Sequence, residues 1–127
     1  MNDIILDASA IIAVLKREPG AERVAAVAEG ARVSAVNIAE VVTWLTVEGV
    51  QAEPASTVLN LFRLTVEPFD HARAVDAGVL VAKIRHRDLS LGDRACLALA
   101  LELGMPVLTG DRAWRDLDIG VDIRIFR

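Results

Sequence analysis

Four carboxylates in this 127-residue chain stand where alternating strand–helix proteins do their chemistry: Asp7, Glu40, Asp93 and Asp111. Asp7 directly follows the apolar run Ile4-Ile5-Leu6, and Asp111 follows Pro106–Gly110. Glu40 falls in the expected first turn of the helix after Arg32–Ala35, and Asp93 in the first turn of the apolar segment Leu91–Leu103. In an open parallel sheet the residues just past the strands converge at one edge, where ligands bind. Each acid alone also reads as a helix cap. Asn37-Ile38-Ala39-Glu40 and Ser90-Leu91-Gly92-Asp93 have the form of capping boxes, and Asp7 and Asp111 suit N-cap positions. As a set they say more, because Ser, Thr or Asn would cap as well, whereas four converging carboxylates repel and raise one another's pKa. A hard cation removes that cost. Mg²⁺ and Mn²⁺ prefer carboxylate oxygens and act on phosphates, and two such ions about 3.5–4 Å apart clamp the attacking and leaving oxygens of phosphodiester hydrolysis. The set favours a metal-dependent phosphodiesterase or nuclease.

The elements that must position these acids follow from periodicity and punctuation. Ile4–Leu6 predicts a short buried strand and Ala8–Arg17 a helix broken by Pro19-Gly20. Ala21–Glu29 predicts a second helix ended by Gly30, and Arg32–Ala35 a weak strand. Ile38–Glu48 places Ile38, Val41, Val42 and Leu45 on one helical face and stops at Gly49. Pro54 opens a helix to about Leu64, and Val66–Phe69 reads as a strand. Asp70 caps a long helix whose apolar stripe is Ala72, Val75, Val79 and Ala82. Leu91–Leu103, apolar nearly all round, predicts a central helix ended by Gly104. A strand at Pro106–Thr109, a helical turn at Asp111–Arg115 and a last strand at Ile123–Phe126 complete the chain. Such alternation, with strands apolar on both faces, argues for an α/β fold around a mostly parallel sheet. The length implies one domain, 1–127.

Composition removes other classes. One cysteine, Cys96, and two histidines exclude a disulfide scaffold and a Cys/His zinc site. The net charge, 14 − 18 = −4, argues against nucleic-acid binding through a bulk positive field. All basic residues except Lys16 and Lys83 are Arg, which suits bidentate phosphate contacts. Tyr is absent and aromatics make up only 4%, which disfavours a base-stacking platform. Ile4–Leu15 contains Ala8-Ser9-Ala10, a signal-peptidase-like triplet, but acidic Asp3 and Asp7 argue for a mature strand and helix. No apolar run spans a bilayer, so the cytoplasm is the expected compartment.

The ordered motifs Leu6-Asp7-Ala8-Ser9-Ala10, Asn37-Ile38-Ala39-Glu40, Leu91-Gly92-Asp93-Arg94-Ala95 and Thr109-Gly110-Asp111-Arg112-Ala113-Trp114 resemble the PIN domain. Length and element order are similar to VapC-type toxins of bacterial toxin–antitoxin systems, over essentially the whole chain. The resemblance implies a three-layer α/β/α sandwich with a central sheet of about five strands. It implies an Mg²⁺- or Mn²⁺-dependent endoribonuclease, cleaving in line and leaving 5′-phosphate and 3′-hydroxyl ends. By position, the resemblance implies Asp7 and Asp93 as the principal metal ligands, Glu40 and Asp111 as acids that hold a second ion or orient water, and Ser9 and Thr109 as hydroxyls that position Asp7 and Asp111. The family further implies a homodimer and a VapB-type antitoxin that blocks the site.

Several residues carry two readings. Asp116 is a fifth acid near the set or a solvated turn charge beside Asp118. Lys83, Arg85, His86 and Arg87 contact RNA phosphate or decorate a helix C-terminus. Arg94 and Arg112, each following a site acid in a recurring Gly-Asp-Arg-Ala, touch substrate or neutralise the acids. Trp44 and Trp114 suit packing better than stacking on bases. The apolar faces of the helices before residue 65 form a partner surface or part of the core. A metal-free ribonuclease would pair His71 and His86, about 22 Å apart on a continuous helix and too far to share a phosphate. A phospho-accepting receiver would need adjacent acids after the first strand and a Lys at a later strand end, which Lys16 and Lys83 do not supply. A non-catalytic module holding an Arg-rich partner in the acidic pocket is the alternative, separated from the enzyme by metal-dependent turnover.

Overall fold

The computed structural model describes residues 3–85 and 87–127; His86 lies outside the described residues. Five strands, β1 (Ile5–Leu6), β2 (Arg32–Ser34), β3 (Thr65–Glu67), β4 (Val107–Thr109) and β5 (Ile123–Ile125), form one sheet in the order β3-β2-β1-β4-β5. Every pairing is parallel, so the sheet is parallel throughout. The chain winds outward from β1 through β2 to β3, then returns to lay β4 on the other side of β1. That reversal puts the topological switch point between β1 and β4, where Ile5 pairs with Val107 and Leu6 with Leu108.

Six helices cover the sheet: α1 (Ala8–Lys16), α2 (Ala21–Val27), α3 (Ala35–Val47), α4 (Ala52–Leu61), α5 (His71–Val79) and α6 (Leu91–Leu103). Alternation along the strands splits the core in two. Leu6, Val33 and Leu108 face a cluster with Ile11, Val24, Val41, Leu45 and Ala55 from α1–α4. Ile5 and Val107 face the other side, packed with Ala77, Leu80, Leu97, Trp114 and Ile119. The fold is the expected α/β sandwich. The central strands carry apolar residues on both faces, but edge strand β3 does not: Thr65 and Val66 are exposed. With one flank unpaired, an edge strand does not need a second buried face.

Three expectations about elements are corrected. Helix α3 begins at Ala35, not Ile38; its cap is Ser34, whose hydroxyl accepts from Val36 N at 3.2 Å. Asn37-Ile38-Ala39-Glu40 is therefore not a capping box, and Glu40 sits in the second turn. Asn37, buried on the same face as Val41 and Leu45, carries the inward stripe one turn earlier than expected. The long helix after Asp70 ends at Val79 and tightens into a 3₁₀ turn, Leu80–Lys83. Its expected apolar stripe is its exposed face, with Val75 49% and Val79 64% accessible, while Ala77, Leu80 and Ile84 turn inward. Small Ala77 lets α5 lie close against α6, and Arg73 on the inner side pairs with Glu67 and Glu102, both at 2.9 Å. These ion pairs orient the helix, a role hydrophobic spacing does not reveal.

Helix α6 fills the centre as its composition predicts, burying Ala95, Cys96, Leu97, Ala98, Leu99 and Ala100. Leu97→Ala is expected to cost about 2–5 kcal/mol through lost burial and the cavity left behind. In urea unfolding the midpoint should fall while the slope stays unchanged.

Candidate active site

The carboxyl end of β1 at the switch point holds Asp7, the one buried acid among the described residues at 6% exposed. It caps α1, accepting from Ala10 N at 3.0 Å, and its Oδ1 also accepts from the Ser9 hydroxyl at 2.7 Å. Its Oδ2 accepts from the Thr109 hydroxyl at 2.5 Å across the β1–β4 pairing. Ser9 Oγ in turn accepts from Gly110 N at 2.9 Å, and Thr109 Oγ1 from Asp111 N at 3.1 Å. Two hydroxyls thus fasten the start of α1 to the end of β4. Burial raises the Asp7 carboxyl from the ordinary 3.8 to about 6; these hydrogen bonds oppose the shift, and the charge of Asp93 adds to it.

Asp93 sits in the first turn of α6 in a full capping box. Ser90 N donates to its Oδ2 at 3.0 Å, and its own N–H donates to Ser90 Oγ at 3.1 Å. Asp111 caps the 3₁₀ turn Arg112–Asp116, accepting from Ala113 N at 3.0 Å. The capping readings of Asp7, Asp93 and Asp111 therefore hold alongside any chemical role.

Glu40 is placed by two residues whose part in the site the sequence did not reveal. Asn37, one turn earlier and 1% exposed, donates from Nδ2 to Glu40 Oε1 at 2.7 Å and to the Gly92 carbonyl at 3.1 Å. Gly92 lies so close to Glu40 that a Cβ there would overlap the carboxylate. The Ser90–Asp93 box hinted at this contact only by containing a glycine inside a helix start. Asp7, Asp93 and Glu40 also share a neighbour in buried Cys96. Its thiol is pushed well up by burial first, then by the fields of these three acids. Asp111 joins them through Thr109.

Among the described residues, no three acidic, His or Cys side chains close on one point as ready ligands of an ion. Each acid is instead held by its own hydrogen bonds, which among the described residues leave Asp93 Oδ1, Glu40 Oε2 and Asp111 Oδ2 without a partner. The Asn37 Oδ1 atom is buried and unpartnered as well. Hard oxygen donors around a carboxyl that resists ionisation are a set suited to a divalent cation.

The basic candidates separate. Arg94 turns away from the acids and donates to the Ala77 carbonyl at 3.0 Å. Arg87 donates to the Ala113 carbonyl at 2.8 Å, and Arg85 is exposed on the loop before α6. Arg112 stays beside Asp111 and donates to the Arg127 carbonyl at 2.9 Å. Asp116 and Asp118 are exposed. Trp114 is buried in the core and Trp44 packs on the other cluster, so both are packing residues.

A parallel five-stranded sheet with helices on both faces and an acid-bearing switch point defines an α/β protein with its candidate site at the carboxyl ends of the strands, without naming its reaction. The sequence profile of the PIN domain matches residues 4–120, and the chain belongs to that family. No curated protein matches the sequence. Among solved structures, the chain is similar to one in the DNA-bound VapBC complex of Salmonella typhimurium, at 21% identity and TM-score 0.75 with both chains fully covered. It is similar to VapC20 of Mycobacterium tuberculosis, a sarcin–ricin-loop-cleaving toxin, at 18% identity and TM-score 0.70, covering 94% of this chain and 98% of that one. A chain of Rickettsia felis VapBC2 bound to promoter DNA matches at 15% identity and TM-score 0.73, with 98% of each covered. At these identities the likeness is one of fold. No helix among the described residues is long and apolar enough to cross a membrane.

Two outcomes follow from this geometry. Gly92→Ala should push the Glu40 carboxylate off Asn37 and cost about 0.5–1.5 kcal/mol, the worth of that hydrogen bond. In a Glu40→Ala background the same change should be neutral or stabilising by up to about 1 kcal/mol, as Gly→Ala is in an unobstructed helix. Equal effects in both backgrounds, measured by urea unfolding, would place the Glu40 carboxylate elsewhere. For Asp7, a folded pKa of about 6 against 3.8 means the folded chain binds the extra proton between those values. In metal-free buffer its contribution therefore favours the fold below about pH 4 and is lost as pH rises through 6. At pH 7.5 the ionised group weighs against folding by at most about 3 kcal/mol. Asp7→Asn should raise the melting temperature by several degrees at pH 7.5 and lose that advantage near pH 4.

Proposed function

We propose that this protein is a divalent-metal-dependent endoribonuclease, the toxin of a toxin–antitoxin pair, with residues 1–127 acting as one PIN domain in the cytoplasm. The observation that carries this reading is Asp7: a carboxylate desolvated at the switch point, hydrogen-bonded by Ser9 and Thr109, and in the field of Asp93. An acid in that setting costs stability and is best explained by a cation that compensates it.

In this reading Asp7 and Asp93 are the principal ligands of Mg²⁺ or Mn²⁺, and Glu40 and Asp111 hold a second ion or orient water. The bound ions supply Lewis-acid stabilisation of the phosphoryl oxygens and a more acidic attacking water. Ser9 and Thr109 aim Asp7 and offset part of the cost of ionising it, because their hydroxyls donate to the charged form. Asn37 holds Glu40 against Gly92, at the mouth of α6. The products are a 5′-phosphate and a 3′-hydroxyl.

Two surfaces support the partner assignments. A hollow lined by Val14, Leu15, Ala25, Val58, Leu61 and Phe62 suits a VapB-type antitoxin, and Leu61 on its rim is 77% exposed. Exposed Val79 on α5 and Leu101 on α6 line one hollow with Lys83 and Glu102, and exposed Val75 lies one turn before Val79, a mixed surface that suits pairing of two copies into a homodimer.

The test is to incubate the purified, partner-free chain with total cellular RNA and Mn²⁺ or Mg²⁺, and to sequence every new end. Discrete cuts bearing 5′-phosphates are expected, abolished by chelator. Asp93→Asn should slow them by roughly 100-fold or more, since losing a ligand should exceed the 10–100-fold typical of outer-shell changes. Cuts that persist in chelator would sink the four-acid mechanism. A folded chain that binds metal and cuts nothing would instead favour a module that holds an Arg-rich partner.

A further inference from the structure

Beside the acids runs an open groove of about 690 Å³ lined by Ser9, Pro19, Gly110, Asp111, Arg112, Ala113 and Arg127. Ser9 and Asp111 belong to both the groove and the acid network. Arg112 and Arg127 are its cations, and each is fastened at Nε to a backbone carbonyl. Arg112 Nε donates to the Arg127 carbonyl at 2.9 Å, and Arg127 Nε to the Gly110 carbonyl at 3.4 Å. The Arg127 guanidinium lies 5.3 Å from the centroid of the buried Phe126 ring, and its Nη1 pairs with Glu18 at 3.1 Å. Among the described residues these bonds leave both Nη groups of Arg112 and Nη2 of Arg127 without a protein partner.

We propose that this groove holds a backbone phosphate of the single-stranded RNA, next to the one that is cut, between Arg112 and Arg127. The proposal rests on the nuclease reading. A chain of net charge −4 that gathers carboxylates at its site must bring in a polyanion by local counter-charge. Arg94 reaches the Ala77 carbonyl on α5 and Arg87 the Ala113 carbonyl, and neither lines the groove, so Arg112 and Arg127 are the cations the groove itself offers to the strand. Tethering at Nε removes much of the side-chain freedom that phosphate binding would otherwise have to restrict. Single-stranded rather than duplex RNA is favoured because the open groove admits one backbone track beside the half-buried Asp111.

The experiment measures binding of a fluorescein-labelled, mixed-sequence single-stranded RNA oligonucleotide by anisotropy over a salt series. The Asp93→Asn chain with Mg²⁺ serves as the non-cutting background. Arg112→Gln should weaken binding roughly tenfold, the scale of one charge-assisted hydrogen-bonding group. Removing one phosphate contact should also flatten the salt slope by about 0.7. Arg112→Lys should keep the slope while losing part of the affinity. Arg127→Lys tests the second cation while keeping its charge, and melting temperatures confirm that each variant folds. Arg63→Gln, the same charge change beside β3 at the opposite edge of the sheet, should leave affinity within about twofold of the background. If Arg112→Gln binds and depends on salt as the background does, and Arg127→Lys binds as tightly as the background, while the parent chain cuts RNA with metal, the groove proposal falls and the nuclease reading stands. If the parent neither binds nor cuts RNA, the nuclease reading falls and takes the groove with it. An acidic peptide competing equally well against Arg112→Gln and its background would also place the anion outside the groove.

Discussion

Everything at the candidate site hangs on the pairing of β1 with β4. These two-to-three-residue strands are separated by about a hundred positions, and only their alignment, Ile5 with Val107 and Leu6 with Leu108, brings Asp7 against Thr109. Parallel pairing over that separation must recover a large loop-closure entropy. It does so by burying apolar side chains on both faces of the two central strands, and by the hydroxyl bridges that follow them. Ser9 and Thr109 therefore join the halves of the sheet and bind the acid at once.

The four acids do not share the same physics. Asp7 is deep in the fold and its ionised form is costly, so its carboxyl is drawn up toward 6. Asp93 and Asp111 are partly open to solvent and anchored by backbone N–H groups at helix starts. Glu40 is different again: a long side chain reaching from the second turn of α3, held by a buried amide and admitted by the missing Cβ of Gly92. One poorly solvated acid surrounded by three anchored ones is an arrangement that gives up stability where a ligand would restore it.

Asn37 shows how a local motif can hide a tertiary role. Read along the chain, Asn37 and Glu40 have the spacing of a capping box; in the fold the cap is Ser34, and Asn37 spends its amide between Glu40 and the Gly92 carbonyl. Arg94 and Arg112 diverge for a similar reason. They occupy the same place in a repeated Gly-Asp-Arg-Ala, yet one extends a long central helix and reaches α5 while the other begins a short turn at the groove.

The order and type of the elements, the central position of α6, the capping of Asp93 by Ser90 and the family itself were all legible from residues alone. They arise from short-range rules: periodicity, punctuation and the chemistry of helix starts. The inward face of α5 was not legible, because Arg73 turns that helix through ion pairs with Glu67 and Glu102, from segments far apart in the chain. Neither were the seat of Glu40 and the groove beside Asp111. Each depends on an atom's distance to a residue dozens of positions away, and one sequence carries no record of such distances. The residue types could say that carboxylates would gather at a sheet edge; only packing decided which is buried, which hydroxyls hold it and which arginines face the opening.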